Sequence, residues 1–384
     1  MRPGSADTPA ARPRWYRASM RPPVSSTSRD EAPTAAAEDR WTVRLGDKVA
    51  TRDNNFDVLR LFAAWAVLVS HSFALVGRAE PLSWFGTSLG HVSVLIFFAV
   101  SGLLIRRSWE YDPRPRDFWT KRALRLLPAL AVVGVVTAFV LGPVVTSLSP
   151  GDYFSSWQTW FYPVRITLLW TFGAPLPGVF EDNVHPGVNG PLWSLPVEVL
   201  AYFFLFVLGV TGLLKKRGVV TAVAVLSLVW AGWWVTVTST AIGATYVLAG
   251  FAVGAAAYSW RERIVLAWPV ALLLVPLCIA AGLGPEPVRV VTWTLAAVYL
   301  SYWFAFAVPP VGRALTRFGD ASYGVYIWAF PVQQTIVQVG GPDTSPWTIM
   351  IIATPIVWLL AIASWRLVER PALRHKPRPV RPTA

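Results

Sequence analysis

Cysteine is almost missing from this chain. Cys278 is the only one in 384 residues, so no disulfide can close within the chain and a cluster of metal-binding thiolates is excluded. Charge is scarce too: 14% of residues are charged, against about 25% in an ordinary soluble domain. Histidine is held to four residues. The first 53 residues contain no apolar run long enough for a secretory signal peptide. No internal repeat of the kind that builds inverted-repeat carriers is visible. What remains is apolar. Hydrophobic residues make up 54% of the chain and fall in long blocks, and Trp is frequent at 21 residues, a number that suits aromatic belts at membrane surfaces. The formal net charge of +13 would suggest nucleic acid in a soluble protein. Here the basic residues lie in the connections between apolar blocks, which reads as positive-inside topology and no nucleic-acid partner.

The expected fold class is all-α: a polytopic membrane protein of about ten transmembrane helices. The apolar blocks predict spans near 54–77, 89–105, 126–146, 192–214, 219–237, 241–258, 264–281, 290–308, 322–339 and 347–367. Each is close to the roughly 20 residues that cross the hydrocarbon layer. With the N-terminus inside, all but four of the 34 Lys and Arg residues fall on the cytoplasmic side or in the tails, so both termini are expected to be cytoplasmic, in the inner or plasma membrane. Residues 1–53, rich in Arg, Pro, Ala, Ser and Thr, read as a disordered basic tail. Residues 54–370 read as the membrane domain and 371–384 as a second basic tail. The long connection 147–190, with Trp157, Trp160 and Phe161, is expected to hold a short interfacial or re-entrant helix. Ser101 and Gly102 suit close packing of the second span.

The first span carries the sharpest signal. Between its apolar residues lie Asp57, Arg60 and His71, and an ionisable group at membrane depth is expensive unless paired or wetted, hence a functional candidate. Arg60 and His71 are eleven residues apart, about three turns, so they share a face with some 16 Å between them. Asp57 lies within reach of Arg60. A neutral imidazole in such a place is a usable general base; the plain alternative is a histidine bonded to a neighbouring helix. Arg122 and Arg125, at i and i+3 where the third span begins, put two guanidinium groups on one face and can clamp phosphates; the plain alternative is positive-inside charge. The stretch from Asn189 to Glu198 turns into the fourth span. Its Glu198 calls for a cationic or imidazole partner, with His71 at similar depth. Trp193 and Ser194 beside it could hold a sugar, the indole as a stacking platform. Interfacial Trp with a snorkelling Glu is the rival. The stretch from Asp320 to Pro331 repeats Ser322, Tyr323 and Tyr326 at helical spacing, which packing largely explains, and Glu369 with Arg370 reads as a structural ion pair.

Taken together, FDVLRLFAAWAVLVSHS at 56–72, SGLLI at 101–105, FWTKRALRLLP at 118–128, GPLWSLPVEVLAYF at 190–203, SYGVYIWAFP at 322–331 and VERP at 368–371 resemble the acyltransferase 3 family, in the family's order and over residues 53–372. The resemblance implies an integral-membrane enzyme that O-acylates extracytoplasmic carbohydrates or other hydroxylated acceptors from cytoplasmic acyl-CoA, acetyl-CoA most simply, with no metal. It implies His71 as the catalytic histidine, Arg60 as its basic companion, Arg122 and Arg125 as the acyl-CoA-side arginines, and Glu198 as the acidic partner. Many members carry His before the aromatic–Pro pair of the ninth span. This chain has Ala329 there, which leaves that role absent or filled by a group such as Tyr326. By the same resemblance a stand-alone transmembrane form, without an added esterase-like domain, is expected. The rival from another class is a carrier or flippase for a lipid-linked sugar or organic acid, with Asp57, Arg60 and His71 as a relay.

Overall fold

The computed structural model describes residues 42–51, 54–172, 174–238, 243–312 and 319–377. Ten long helices dominate them: α1 Phe56–Ala74, α2 Leu89–Tyr111, α3 Pro115–Val136, α4 Ser194–Val210, α5 Arg217–Thr238, α6 Gly243–Ser259, α7 Trp268–Gly282, α8 Glu286–Phe306, α9 Ser322–Gly340 and α10 Pro346–Ser364. They fall where the apolar blocks predict helices. Six are long and apolar enough to cross a membrane: α1, α2, α3 with its extension to Val145, α4 with the turn before it, α5, and α10 with its extension to Leu373. Large apolar side chains such as Phe203, Phe204, Leu226, Leu272, Leu273 and Leu359 point outward. That is the surface a bundle presents to hydrocarbon, where helices keep every backbone hydrogen bond internal. The Lys- and Arg-rich connections gather at the end of the bundle reached by the C-terminus of α2 and the N-terminus of α3, here the basic end.

Two features organise the bundle. Helix α2 lies against α1, α4, α6 and α8. Its approach to α6 is very close: a Cβ on Gly102 would stand 2.1 Å from the Phe251 carbonyl oxygen, and one on Gly254 would stand 2.4 Å from that of Ala99. Lipid tails are as apolar as the helices, so such small-residue contact, rather than expulsion of water, holds membrane helices together. Helix α9 is the second. Every residue from Ser322 to Pro331 is buried, and it packs on α1, α3 and α10. A helix enclosed on all sides can carry Ser322, Gln333 and Gln334 without facing hydrocarbon, because its neighbours supply the partners. Gln333 donates to the Leu68 carbonyl and Ser72 hydroxyl of α1, each at 2.7 Å.

The connection from α3 to α4 contains a short helix, Trp157–Thr167, which exposes Trp157 and Trp160. Its last part is laid along α9. Asn183 donates to the Gln334 side-chain oxygen at 2.8 Å, Gln334 donates to the carbonyls of His185 and Gly187, and Asn189 donates to that of Ile327 at 3.0 Å. The expected tail 1–53 lies outside the described residues up to 41, but its end departs from the expectation. Strand β1 Val43–Arg44 pairs antiparallel with β2 Val265–Leu266, and the turn Leu45–Val49 buries Leu45 and Val49 beside α8. Two apolar residues in a polar stretch were too weak a signal for a docked segment.

Candidate functional site

A cavity of about 310 Å³ enters the bundle from the basic end. Along α2 it is lined from Ser108 to Val94, fourteen residues or roughly 21 Å of helix. The walls change character with depth. At the mouth stand Lys121, Arg122, Arg125 and Lys376, with Arg60 and Glu198 further along the wall; the closed end is made by Phe97, Ser194 and Tyr326.

Two arginines of the wall, Arg60 and Arg125, are wired to two acids behind it in a way the sequence did not foretell. Asp320 Oδ2 accepts from Arg60 Nη1 at 3.0 Å and from Arg125 Nη2 at 2.6 Å, and Arg125 Nη1 donates to Glu369 at 3.3 Å. Ser364 donates to the other Glu369 oxygen at 3.0 Å. Asp320 can turn inward because Gly319, at φ +106°, lies flat on the Trp365 indole, where a Cβ would stand 1.8 Å from the ring nitrogen. Burial alone would raise the Asp320 carboxyl, but the guanidiniums of Arg125 and Arg60, with a hydrogen bond from Ser322, hold it below the usual carboxylate range. The expected Asp57–Arg60 pair therefore does not form: Asp57 stays exposed and Arg60 reaches across to α9.

Arg122 differs from Arg125. It is 6% exposed, its Nη1 donates to the Phe118 carbonyl at 2.7 Å, and its guanidinium lies 3.9 Å from the centre of the Phe118 ring. Its Nε has no partner, and among the described residues no carboxylate lies within 4 Å of it. The two arginines expected to form a clamp thus divide: Arg125 is paired with Asp320 and Glu369, and Arg122 is buried in a cavity wall with no acid within 4 Å among the described residues.

Glu198 accepts from Ser101 Oγ at 3.0 Å and from its own-helix neighbour Tyr202. It does not meet His71. Helices α1 and α4 each pack on α2, so an inward side chain of α4 reaches Ser101 of α2 before it reaches α1. Ser194 and Tyr326 do come together, their hydroxyls 2.6 Å apart, and Tyr326 also donates to the Pro191 carbonyl at 2.7 Å. Trp193 turns away: its partly buried ring lies against Gly243 at the start of α6 and does not line the cavity.

His71 is half-buried beyond the closed end of the cavity. Its ring meets Phe330 edge-on, 5.3 Å between centres, and Phe330 is one turn, about 6 Å, past Tyr326 on α9. On this far side His71 lies within electrostatic range of His91 and His185, while Ser70, one residue before it, bonds Glu80 and the Gly90 amide. His91 follows Gly90 in the chain and the His185 carbonyl accepts from Gln334, so three of the four histidines stand at this end of the bundle, where the sequence had singled out one. Asp320, Glu369, Ser101, Tyr202 and Lys376 are the site residues that sequence reasoning missed. Asp320 and Glu369 carried a faint signal, being acids at span ends in a chain poor in acids; Lys376 carried none.

With this geometry in hand, comparison with known proteins is informative. The family profile of the acyltransferase 3 domain matches residues 53–366. The chain belongs to the acyltransferase 3 family. It is 33% identical over 344 residues to an O-acetyl transferase of Shigella phage Sf6, covering 83% of this chain and 96% of that protein. It is 28% identical to nodulation protein 10 of Rhizobium leguminosarum bv. viciae, covering 84% of this chain and 93% of the other. It is 25% identical to the peptidoglycan O-acetyltransferase OatA of Listeria monocytogenes, covering 84% of this chain and 56% of the relative. No solved structure matches the chain. This acyltransferase 3 protein is accordingly a membrane acyltransferase, and among its described residues no group of His, Cys, Asp and Glu is placed to hold a metal ion.

Proposed function

We propose that the protein is an O-acyltransferase that moves an acyl group, most simply acetyl, from cytoplasmic acyl-CoA to a hydroxyl of an extracytoplasmic carbohydrate or glycolipid. All ten long helices would cross the inner or plasma membrane with both termini cytoplasmic, and the basic end would be the cytoplasmic face. The observation that carries this reading is Arg122: a buried guanidinium with no carboxylate within 4 Å among the described residues, at the basic mouth of a long cavity. Leaving a buried charge unpaired is costly, and an anionic group of the donor would offset that cost, with Lys376 and Lys121 close by. The network of Arg60, Asp320, Arg125 and Glu369 fits a role in fixing the wall rather than in gripping the donor.

The acyl chain and the arm that carries it would lie along α2 towards Tyr326. His71, on the far side of Tyr326 and Phe330, would take the proton of the acceptor hydroxyl as its oxygen attacks the thioester carbonyl; the C–S bond then breaks and the proton passes to the CoA thiolate. His91 and His185 would surround the acceptor rather than the donor. For the two substrates to meet, the hydroxyl pair of Ser194 and Tyr326 has to part, so the described state fits a resting enzyme closed between its two sides.

The test is acetyl transfer by the purified protein in detergent, supplied with labelled acetyl-CoA and envelope glycan fragments. Transfer that disappears in His71→Ala, with the variant still inserted and monodisperse, upholds the reading. Transfer retained in that variant removes His71 from the chemistry. Movement of a lipid-linked sugar across vesicles without any acyl transfer would instead establish the carrier.

A further inference from the structure

A second cavity, of about 340 Å³, lies beside the first between α4, α5 and α6. Its walls include Ala201, Leu205 and Leu208 of α4, Val223 of α5, and Phe251 and Ala252 of α6. Ser227 is the one polar lining residue, and its hydroxyl is taken by the Val223 carbonyl at 2.8 Å, so nothing in the groove asks for a polar ligand. Apolar cavities of about 150 Å³ already take up small hydrocarbons. The outer lip carries Phe204 and Val207, both exposed, so the groove opens sideways onto the apolar surface of the bundle. It is not an arm of the first cavity, because the rings of Tyr202 and Phe251 stand between the two, 6.2 Å apart.

The groove ends at the basic end, between Leu214 and Val220. The residues between those two include Lys215, Lys216 and Arg217, all exposed. Several other cations at this end are neutralised: Arg106 and Arg261 on Glu110, Arg114 and Lys121 on Asp112. These three meet no carboxylate within 4 Å among the described residues. Their loop is held in place by the Leu214 carbonyl, which accepts from Arg106 at 3.2 Å, and by the Arg217 guanidinium resting over Trp260 at 5.6 Å. A fixed hydrocarbon slot thus ends under a fixed cluster of uncompensated positive charge.

We propose that this groove is a lipid site: it holds one acyl chain of an anionic phospholipid of the adjoining leaflet, with the headgroup phosphate on Lys215, Lys216 and Arg217. Charge complementarity selects an anionic headgroup, since a basic cluster at a membrane surface gains from every anionic lipid it meets. The slot selects one chain of that lipid in a defined place, unlike the lipid that coats the rest of the bundle.

The experiment uses the full-length protein in nanodiscs, with phosphatidylglycerol carrying a photoreactive diazirine in one acyl chain and, separately, phosphatidylcholine carrying the same group. The expected result is labelling of peptides that contain Leu208, Val223 or Ala252, about tenfold stronger with phosphatidylglycerol than with phosphatidylcholine. The exposed triple variant K215E/K216E/R217E should bring the two lipids level. Ala252→Phe, and independently Val223→Phe should the first not fold, should remove the label from these peptides while leaving labelling elsewhere unchanged. Equal labelling by both lipids in the parent protein, or labelling spread over all outward helix faces and insensitive to the groove-filling variants, overturns the proposal.

Discussion

Arg125 Nη2 and Asp320 Oδ2 stand 2.6 Å apart, joining the middle of the third helix to a residue just before the ninth. The same carboxylate oxygen takes Arg60 at 3.0 Å. One acid thereby pairs with two half-buried arginines from two other helices, while a third arginine, Arg122, has no acid within 4 Å among the described residues.

Removing that acid should be severe. Asp320→Asn leaves Arg60 and Arg125 facing each other with only Glu369 nearby, and breaking a buried pair costs about 3–5 kcal/mol. The network is 16–25% exposed at its Arg60, Arg125 and Asp320 side chains, so about half of that is expected. Thermal unfolding in detergent measures it. A midpoint unchanged from the parent would mean that the network contributes nothing to stability.

The arginines should separate kinetically. Arg122→Ala is expected to raise KM for acyl-CoA about tenfold or more and to alter kcat little, because a contact made equally in ground and transition state affects binding alone. Arg122→Lys should rescue only in part, lacking the planar fork. Arg125→Glu, by contrast, places a third carboxylate beside Asp320 and Glu369 and should be read in stability, not in KM. Initial rates against donor concentration, with melting curves alongside, distinguish the two.

His71→Ala should lower kcat by about 10²–10⁴-fold, the usual contribution of a general base. Glu198→Gln should act differently. Its carboxylate is bound by Ser101 and Tyr202, not by His71, so the variant is expected to leave the pH profile of kcat in place while weakening donor binding. A profile displaced in Glu198→Gln would restore the dyad that the geometry does not form.

Tyr326→Phe removes the hydroxyl that joins Ser194 to the Pro191 carbonyl. A lost hydrogen bond of this kind costs about 1 kcal/mol, readable as a small drop in melting temperature. Transfer should persist, since parting of this pair is what brings the two sides together. A loss of kcat as deep as that of His71→Ala would instead put the phenol at the reacting atoms.

Acid sensitivity follows from two carboxyls outside the helices. Asp112 is held below the usual carboxylate range by hydrogen bonds from Arg114, with Lys121 adding to them against its burial, and Asp320 is held low as described above. A carboxyl whose folded pKa is depressed stabilises the protein fully above its unfolded pKa of about 4, and that stability is lost as pH falls through the folded value. These groups contribute fully between pH 5 and 8, so melting temperature should show no pH dependence from them in that range and should fall below about pH 4. In Asp112→Asn part of the acid fall should vanish; an undiminished fall would assign it to other groups.

The positions of the ten helices were legible in the sequence because long apolar blocks can satisfy the bilayer and their own backbone in only one way. So were the candidates His71, Arg60, Arg122 and Glu198, since charge at membrane depth is too expensive to be casual. Close packing at Gly102 was legible for the same local reason, that only a small residue lets two backbones touch. Which charge meets which was not. Arg60 has Asp57 one turn away yet bonds Asp320, and Glu198, expected at the depth of His71, bonds Ser101 instead, because partners are set by which helices are neighbours and by side-chain direction. The gathering of His71, His91 and His185, the return of Lys376 to the cavity mouth, and the bolt of Tyr326 on Ser194 likewise join residues tens to hundreds apart in the chain. Hydropathy acts residue by residue and so fixed the helices, whereas their lateral order depends on close contact over whole faces and had to await the folded bundle.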